Sequence, residues 1–328
     1  MVRRGSLKPA ISVAAALLGL ALVAPALAQR RSRVEPPPQF VLFGFDATPH
    51  PDPTHDPYVS IARSVARYSH GAGHITLFLN QQFFMLAHDW SPPPGSRWAG
   101  HPETYRAFVD PVAHVRMVLT YARDPDEIAG RIATTRILER EGHELASHGT
   151  RHGHGRAWSS EQWQGEFAEY ETYMRNVVGL SAARGFRAPY LEWSMELHRV
   201  ESARGMIYDA SHTQGTVGWP ARSSSGVWLL GVPLLYVPSL GRRIVAFDDS
   251  YHLRGLTAVD VEQLYTREFD GRYRGNRAPL ILASHGGYTG PALRLASRVC
   301  RMADVRCTSH RELAEYMSAH GELAGRRR

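Results

Sequence analysis

Lysine is almost absent from this 328-residue chain, and its scarcity bears on the class of protein. Lys8 is the only lysine, so the formal net charge of +7 comes from arginine. The arginines are scattered along the chain, and their one small cluster is the terminal Arg326–Arg328. A nucleic-acid-binding face needs a basic stripe, so we expect no nucleic-acid partner.

Cysteine is equally scarce, with Cys300 and Cys307 as its only copies. Six residues separate them, and a thiolate metal site would need further ligands that this segment lacks. Because the chain also begins like an exported protein, a disulfide is the favoured interpretation.

Long hydrophobic runs are missing after the N-terminus. Residues 1–28 resemble an export signal, with a basic start, an apolar run over 11–23 and small residues near Ala28. That run is short for a membrane span, although an uncleaved anchor is the alternative. We therefore predict an exported protein, periplasmic or secreted, with no stable span after cleavage. Its predicted parts are a 29–39 linker, one domain over 40–320 and a basic tail over 321–328.

The mature chain alternates apolar strands with helical patterns, and no internal repeat divides it. Strands are predicted at FVLFGFD, HITLFLN, HELASH, GFRAPYL, MIYDAS, PLILASH, within 227–247 and after Cys307; helices are predicted over 124–141, 159–177, 192–204 and 257–269. Such alternation favours a mostly parallel α/β sheet, either doubly wound or closed into a barrel. Residues 85–120 interrupt the alternation as a long excursion, either lining a cleft or forming a structural flap.

Histidine is abundant, with 17 copies, so histidine spacing alone proves little. Three lie close together in ELASHGTRHGHG, namely His148, His152 and His154. Imidazoles bind Zn²⁺ well, but two neutral ligands need an anion beside them. Asp46, which ends the first strand, is the candidate, and its alternative role is to open the turn that follows.

Five motifs occur together in a characteristic order: FGFDAT, GHELASHGTRH, GFRAPY, YDAS and LILASH. In that order and spacing the chain resembles the polysaccharide deacetylase (NodB-like) family, over about residues 40–318. The segments GVWLLGVP and FDGRYRGNRAP further resemble its chitin-deacetylase-like branch.

The resemblance implies a single-domain, distorted (β/α) barrel of about seven parallel strands. It also implies one divalent metal ion, usually zinc, with Asp46, His148 and His152 as ligands. In such enzymes the metal activates water and polarises an N-acetyl carbonyl.

The same resemblance assigns further roles. The backbone N–H of Tyr190 would stabilise the oxyanion, and His285 would act as general acid with Asp209 orienting it. Arg187 would hold the catalytic carboxylate. The plain alternatives are a structural ion pair for Arg187, a turn former at Asp209 and a buried, satisfied His285.

The first motif departs from the family pattern, because the family usually carries two adjacent aspartates and this chain has only Asp46 followed by Ala47. In one register Asp46 is the base and a ligand is missing. In the other, which we favour, Asp46 is the ligand and Phe45 stands where the base should be. Other acids could substitute for the base: Glu192 first, then Asp248 or Asp249.

Trp193 and Trp219 follow motif strands and are candidates to stack on sugar rings, although core filling is the commoner role of a single tryptophan. His154 is expected to be exposed and to contact substrate. Together these features predict a metal-dependent hydrolase that removes N-acetyl groups from N-acetylglucosamine polymers such as peptidoglycan or chitin. The rival functions are a non-catalytic carbohydrate-binding protein on the same fold and an O-acetyl esterase.

Overall fold

The computed structural model describes residues 36–86, 108–109, 116–117, 121–150 and 152–326. From Pro38 onward the chain forms one compact unit. The predicted export signal over 1–28 and most of the 85–120 excursion lie outside the described residues, so both stay predictions. Among the residues described, no helix is long and apolar enough to cross a membrane.

A parallel sheet forms the centre of the molecule. Seven strands follow one another in the order β12, β1, β2, β5, β6, β7 and β9, and β13 also pairs with β1. Their bounds are β1 Gln39–Asp46, β2 Thr76–Leu79, β5 Glu144–Ser147, β6 Gly185–Phe186, β7 Tyr208–Asp209, β9 Trp228–Leu229, β12 Leu280–Ser284 and β13 Val305–Thr308. The predicted α/β class and distorted barrel of about seven parallel strands are confirmed.

Smaller sheets lie beside this barrel. One contains β8 (Thr213–Gln214), β10 (Val232–Val237) and β11 (Arg242–Val245), and the other pairs β3 (Phe108–Val109) with β4 (Arg116–Met117).

The helices of the described residues flank the strands of the barrel. Their bounds are α1 Pro57–Tyr68, α2 Pro125–Arg140, α3 Ser160–Tyr173, α4 Met195–Ala203, α5 Asp248–His252, α6 Ala258–Arg274, α7 Thr289–Val299 and α8 His310–Ala319. Side chains cap several N-termini: the Asp124 carboxylate accepts from a backbone N–H of α2, and Ser159 and Ser309 form capping boxes on α3 and α8.

Strand β1 shows how the barrel separates two apolar layers. Phe40 and Leu42 pack inside the barrel in one cluster with residues of other strands, including Tyr208 of the distant strand β7. Val41 and Phe43 pack in the larger cluster beneath the helices. Because side chains alternate along a strand, Asp46 at its end shares the inward face of Phe40 and Leu42.

The strand predicted at GFRAPYL is shorter than expected. Pairing ends after Phe186, and the chain turns through a short 3₁₀ segment, Pro189–Leu191. Proline has no N–H to donate to a ladder, and both Tyr190 (φ 59°) and Leu191 (φ 56°) are left-handed. The motif therefore forms a tight bend at the barrel mouth.

The predicted disulfide is confirmed. Cys300 and Cys307 are bonded to each other, and they connect the end of α7 to β13. The bond therefore holds the end of α7 against β13, the strand that also pairs with β1.

Candidate active site

Three motif residues meet at the carboxyl ends of β1, β5 and β6. The Arg187 guanidinium donates to Asp46 Oδ1 at 2.7 Å, and Asp46 Oδ2 lies 3.7 Å from His148 Nε2. All three side chains are nearly or fully buried, although their motifs lie far apart in the sequence. Parallel strands bring their carboxyl ends to one edge, and that edge is where such folds place chemistry.

The two motif histidines both carry a buried ring nitrogen with no hydrogen-bond partner, namely His148 Nε2 and His152 Nδ1. The other His148 nitrogen, Nδ1, lies 2.7 Å from the Arg187 carbonyl oxygen and donates to it. This bond leaves Nε2 as the unprotonated nitrogen, which faces Asp46. The centroids of the two imidazole rings lie 5.0 Å apart.

Asp46 and His148 are placed to share a divalent cation. Two atoms bound to one ion through bonds of about 2.1 Å can lie up to about 4.2 Å apart, and the Asp46 Oδ2 to His148 Nε2 distance of 3.7 Å lies within that limit. Asp46 has one oxygen for Arg187 and one for an ion. Two imidazole nitrogens and a carboxylate are typical zinc ligands.

Ionisation states agree with that fit. Burial alone would raise the pKa of Asp46, but the charges of Arg187, His148 and His285 outweigh it and the pKa is lowered. Burial lowers the pKa of His148 and, still further, that of His152. Near neutral pH the site therefore presents one carboxylate and two neutral imidazoles, which are the forms that bind metal.

His285 lies beside this group and is paired with an acid. Its Nδ1 is 3.0 Å from Asp248 Oδ1 and 3.6 Å from Asp249 Oδ2, and its backbone N–H donates to Asp248. Burial would lower the pKa of His285, but the hydrogen bond to Asp248 and the charges of Asp248, Asp46 and Asp249 raise it to about 9. The imidazole is thus a cation at neutral pH and has a proton to give.

The sequence predicted Asp209 as the partner of His285, but the structure pairs His285 with Asp248. Asp209 is fully buried at the end of β7, where it accepts hydrogen bonds from Ser211 and lies 3.9 Å from His198. Asp248 was considered only as a substitute base. The signal was present in the sequence, because Asp248 directly follows the strand-rich stretch ending at residue 247.

The bend after β6 places Tyr190 among the histidines. Its ring stacks on His154 at 3.9 Å between centroids and meets the edge of His152 at 4.8 Å. His154 Nδ1 lies 3.1 Å from Glu192, so His154 and Glu192 are both engaged here and are not fully exposed. The expected exposure of His154 is therefore only partial.

The two predicted sugar-stacking residues lie in different surroundings. Trp193 is 42% exposed and stacks on His212 and His198. Trp219 is 2% exposed, packs edge-on against Phe40 at the start of β1 and donates its indole N–H to the Asn276 carbonyl. A buried ring cannot stack on a polymer, so the structure places Trp219 in the core.

Among the described residues, two groups of three side chains bring potential metal-binding atoms within 4.8 Å of one another. They are His198 with Asp209 and His212, and Asp248 with Asp249 and His285. The trio predicted from the motifs, Asp46 with His148 and His152, is not one of these groups. Since Asp46 Oδ2 and His148 Nε2 are 3.7 Å apart, it is His152 whose ring nitrogens do not lie within 4.8 Å of both.

Fold and site together define a parallel α/β barrel with polar, buried chemistry at one mouth. A family model described as polysaccharide deacetylase matches residues 95–208, which contain the GHELASH and RAPY motifs but not Asp46 or His285. No curated protein matches the chain. The resemblance to the polysaccharide deacetylase family is thus confirmed, while its chitin-deacetylase-like branch stays a prediction.

Solved structures share the fold. A polysaccharide deacetylase structure from Mycobacterium smegmatis has 17% identity and a TM-score of 0.54, covering 88% of this chain and 92% of that one. The Puue allantoinase has 11% identity and a TM-score of 0.52, covering 86% and 91%. A 4-alpha-glucanotransferase from Thermococcus litoralis has 10% identity and a TM-score of 0.50, covering 85% of this chain and 40% of that one. Proteins with such different names show that the fold alone does not define a substrate.

Proposed function

We propose that this protein is a metal-dependent hydrolase of the carbohydrate esterase type that removes N-acetyl groups from N-acetylglucosamine-containing polysaccharide, such as peptidoglycan or chitin. One observation carries the proposal. The barrel mouth brings together a cationic His285, a carboxylate held by Arg187, and two imidazoles that each have a buried nitrogen without a hydrogen-bond partner.

The residues divide the work by charge. Asp46, His148 and His152 would hold the ion, which is a Zn²⁺ in this proposal. When bound, it supplies Lewis-acid polarisation of the acetyl carbonyl and activation of water. Arg187 holds the Asp46 carboxylate by donating to one of its oxygens, Oδ1. The other oxygen, Oδ2, is left for the ion.

His285 serves as the general acid toward the leaving amine. An amine leaves readily only when it gains a proton, and His285 is protonated at neutral pH because Asp248 stabilises the imidazolium. Asp248 thus takes the orienting role that the family pattern suggested for Asp209. The Tyr190 backbone N–H, in the left-handed bend, is the oxyanion donor of this proposal.

Asp46 is the anionic ligand in this proposal rather than the base. Two neutral imidazoles hold a divalent cation poorly, and Asp46 Oδ2 is the carboxylate atom placed near His148. The neighbouring positions offer no second acid, since Phe45 packs on Tyr58 in the outer apolar cluster and Ala47 is buried. Loss of a dedicated base typically slows a reaction by about 10²- to 10⁴-fold, so we expect slow turnover.

The missing acid also favours a second candidate, a carbohydrate-binding protein that does not turn over its ligand. Both candidates agree with the export signal predicted over residues 1–28, because wall polymers lie outside the inner membrane. We therefore propose a periplasmic or secreted location, with polysaccharide as the partner.

The deciding experiment measures acetate release and bound zinc on the same sample of the mature chain. We expect release from N-acetylglucosamine oligomers, loss of activity together with one zinc equivalent in His148→Ala, loss of activity in chelator, and no change in His55→Ala, a 73% exposed histidine. Asp46→Asn should lose the same zinc equivalent; that equivalent retained without activity would instead assign Asp46 as the base.

Sugar binding that survives chelation, without acetate release from any substrate, would replace the enzyme proposal with the binding protein. Acetate from acetylated xylan but none from the amide oligomers would identify an esterase.

A further inference from the structure

A second histidine and carboxylate cluster lies on the other side of the β6 bend. It consists of His198 on α4, Asp209 at the end of β7, and His212 in the loop that follows. His198 Nε2 is 3.1 Å from His212 Nε2 and 3.9 Å from Asp209 Oδ2. Both distances are shorter than the roughly 4.2 Å that two atoms on one zinc ion can span.

The cluster contains a fully buried acid. Asp209 accepts hydrogen bonds from Ser211, and within the described part of the chain its only ion-pair contact is His198. The fully buried Glu201 lies beside Asp209 and forms a side-chain hydrogen bond with it. His198 Nδ1 is buried without a hydrogen-bond partner. A buried carboxylate is stabilised by a cation beside it.

His212 lines a cavity of about 280 Å³ together with Thr213 and Gln214, which gives an ion a route from solvent. Trp193 stacks on both imidazoles and covers the cluster from the other side.

We propose that His198, Asp209 and His212 form a second metal site that binds Zn²⁺, distinct from the group at Asp46. Two nitrogens and one carboxylate oxygen match the donors of zinc sites. The ion would connect helix α4 to the loop after β7, and α4 follows the bend that carries Tyr190. Its role is therefore structural: it fixes the backbone of that bend from behind.

The test counts zinc in a chain whose first site has been removed. We start from His148→Ala/His152→Ala in the mature protein, strip it with chelator and dialyse it against Zn²⁺ alone. About one equivalent should remain bound per chain, and adding His212→Gln should remove it. His55→Ala, which removes an exposed histidine, should leave the count unchanged.

A second measurement does not depend on substituting a ligand. Co²⁺ bound at this cluster lies next to the indole of Trp193, so it should quench part of the tryptophan fluorescence and give a visible absorption band. Trp193→Phe should keep the band and lose that part of the quenching. Circular dichroism checks that each variant is folded.

The proposal is overturned if no zinc remains in the His148→Ala/His152→Ala chain, or if folded His212→Gln keeps the remaining equivalent. Quenching that is unchanged in Trp193→Phe also overturns it. Acetate release is not a readout here, so failure of the proposed function does not affect the result.

Discussion

The ionic pair of His285 and Asp248 is the most informative contact of single residues in the site. The hydrogen bond and charge of Asp248 hold the pKa of His285 at about 9, against an ordinary value of about 6.5. A general acid works only while protonated, so activity should fall as pH rises through the pKa of His285. We expect Asp248→Asn to move the alkaline limb of the kcat/KM profile from near pH 9 toward neutrality.

Asp249→Asn is the matched control for this shift. Its carboxylate is 53% exposed and 0.6 Å farther from His285 Nδ1 than that of Asp248, at 3.6 Å against 3.0 Å. Water screens an exposed charge, so the alkaline limb should move only slightly. An alkaline limb that stays in place in Asp248→Asn would assign the proton to another group.

Single residues also show where sequence reasoning reaches its limit. Asp46, His148 and Arg187 could be found because their motifs carry them, and the structure brings all three together. The pairing of His285 was assigned to the wrong acid, because Asp209 and Asp248 both lie near strand ends and only the fold decides which of these two buried residues reaches His285. Trp219 was misleading for a similar reason. An aromatic residue that follows a strand can lie on the surface or in the core, and this one packs on Phe40 in the core.

At the scale of elements, strand β6 tolerates no side chain at Gly185. A Cβ there would overlap the ring of Tyr208, whose hydroxyl donates to the buried Glu144. Overpacking of this kind typically costs about 1–3 kcal/mol. We expect Gly185→Ala to lower the free energy of unfolding by that amount in urea denaturation.

Gly165 provides the opposite case within helix α3. A Cβ at Gly165 would meet no atom, and alanine is favoured over glycine in a helix interior by roughly 0.5–1 kcal/mol. Gly165→Ala should therefore stabilise the protein. Equal destabilisation by both substitutions would show that the overlap with Tyr208 is not the cause of the stability lost in Gly185→Ala.

Elements with strong local signals were predictable, and those shaped by packing were not. The helix expected over 124–141 is α2, Pro125–Arg140, because its Asp124 cap acts locally, although the residues it buries are mostly polar. The strands expected at GFRAPYL and MIYDAS contract to pairs of residues, Gly185–Phe186 and Tyr208–Asp209. The apolar residues that flank these two pairs are buried by the bend and the helices rather than by strand pairing. The sequence therefore shows the same apolar pattern that a longer strand would give.

At the scale of the whole molecule, the Cys300–Cys307 bond stabilises the folded state by shortening the free chain of the unfolded state. A loop this short removes little chain entropy, about 2 kcal/mol in the loop-entropy estimate. We expect Cys300→Ser/Cys307→Ser to lose about that much free energy of unfolding in urea denaturation. Dithiothreitol should weaken the parent protein equally and leave the double variant unchanged; a reductant effect on the variant would contradict this origin.

Strand β1 is the first strand of the barrel, but it pairs with two late strands, Leu280–Ser284 and Val305–Thr308, as well as with β2. A ribosome makes β1 long before it makes those partners. The nascent chain must therefore carry an open, strongly apolar edge until residue 308 has emerged. Contacts over such separations form slowly, so synthesis and folding overlap little, and a chain cut short before β12 would aggregate rather than fold.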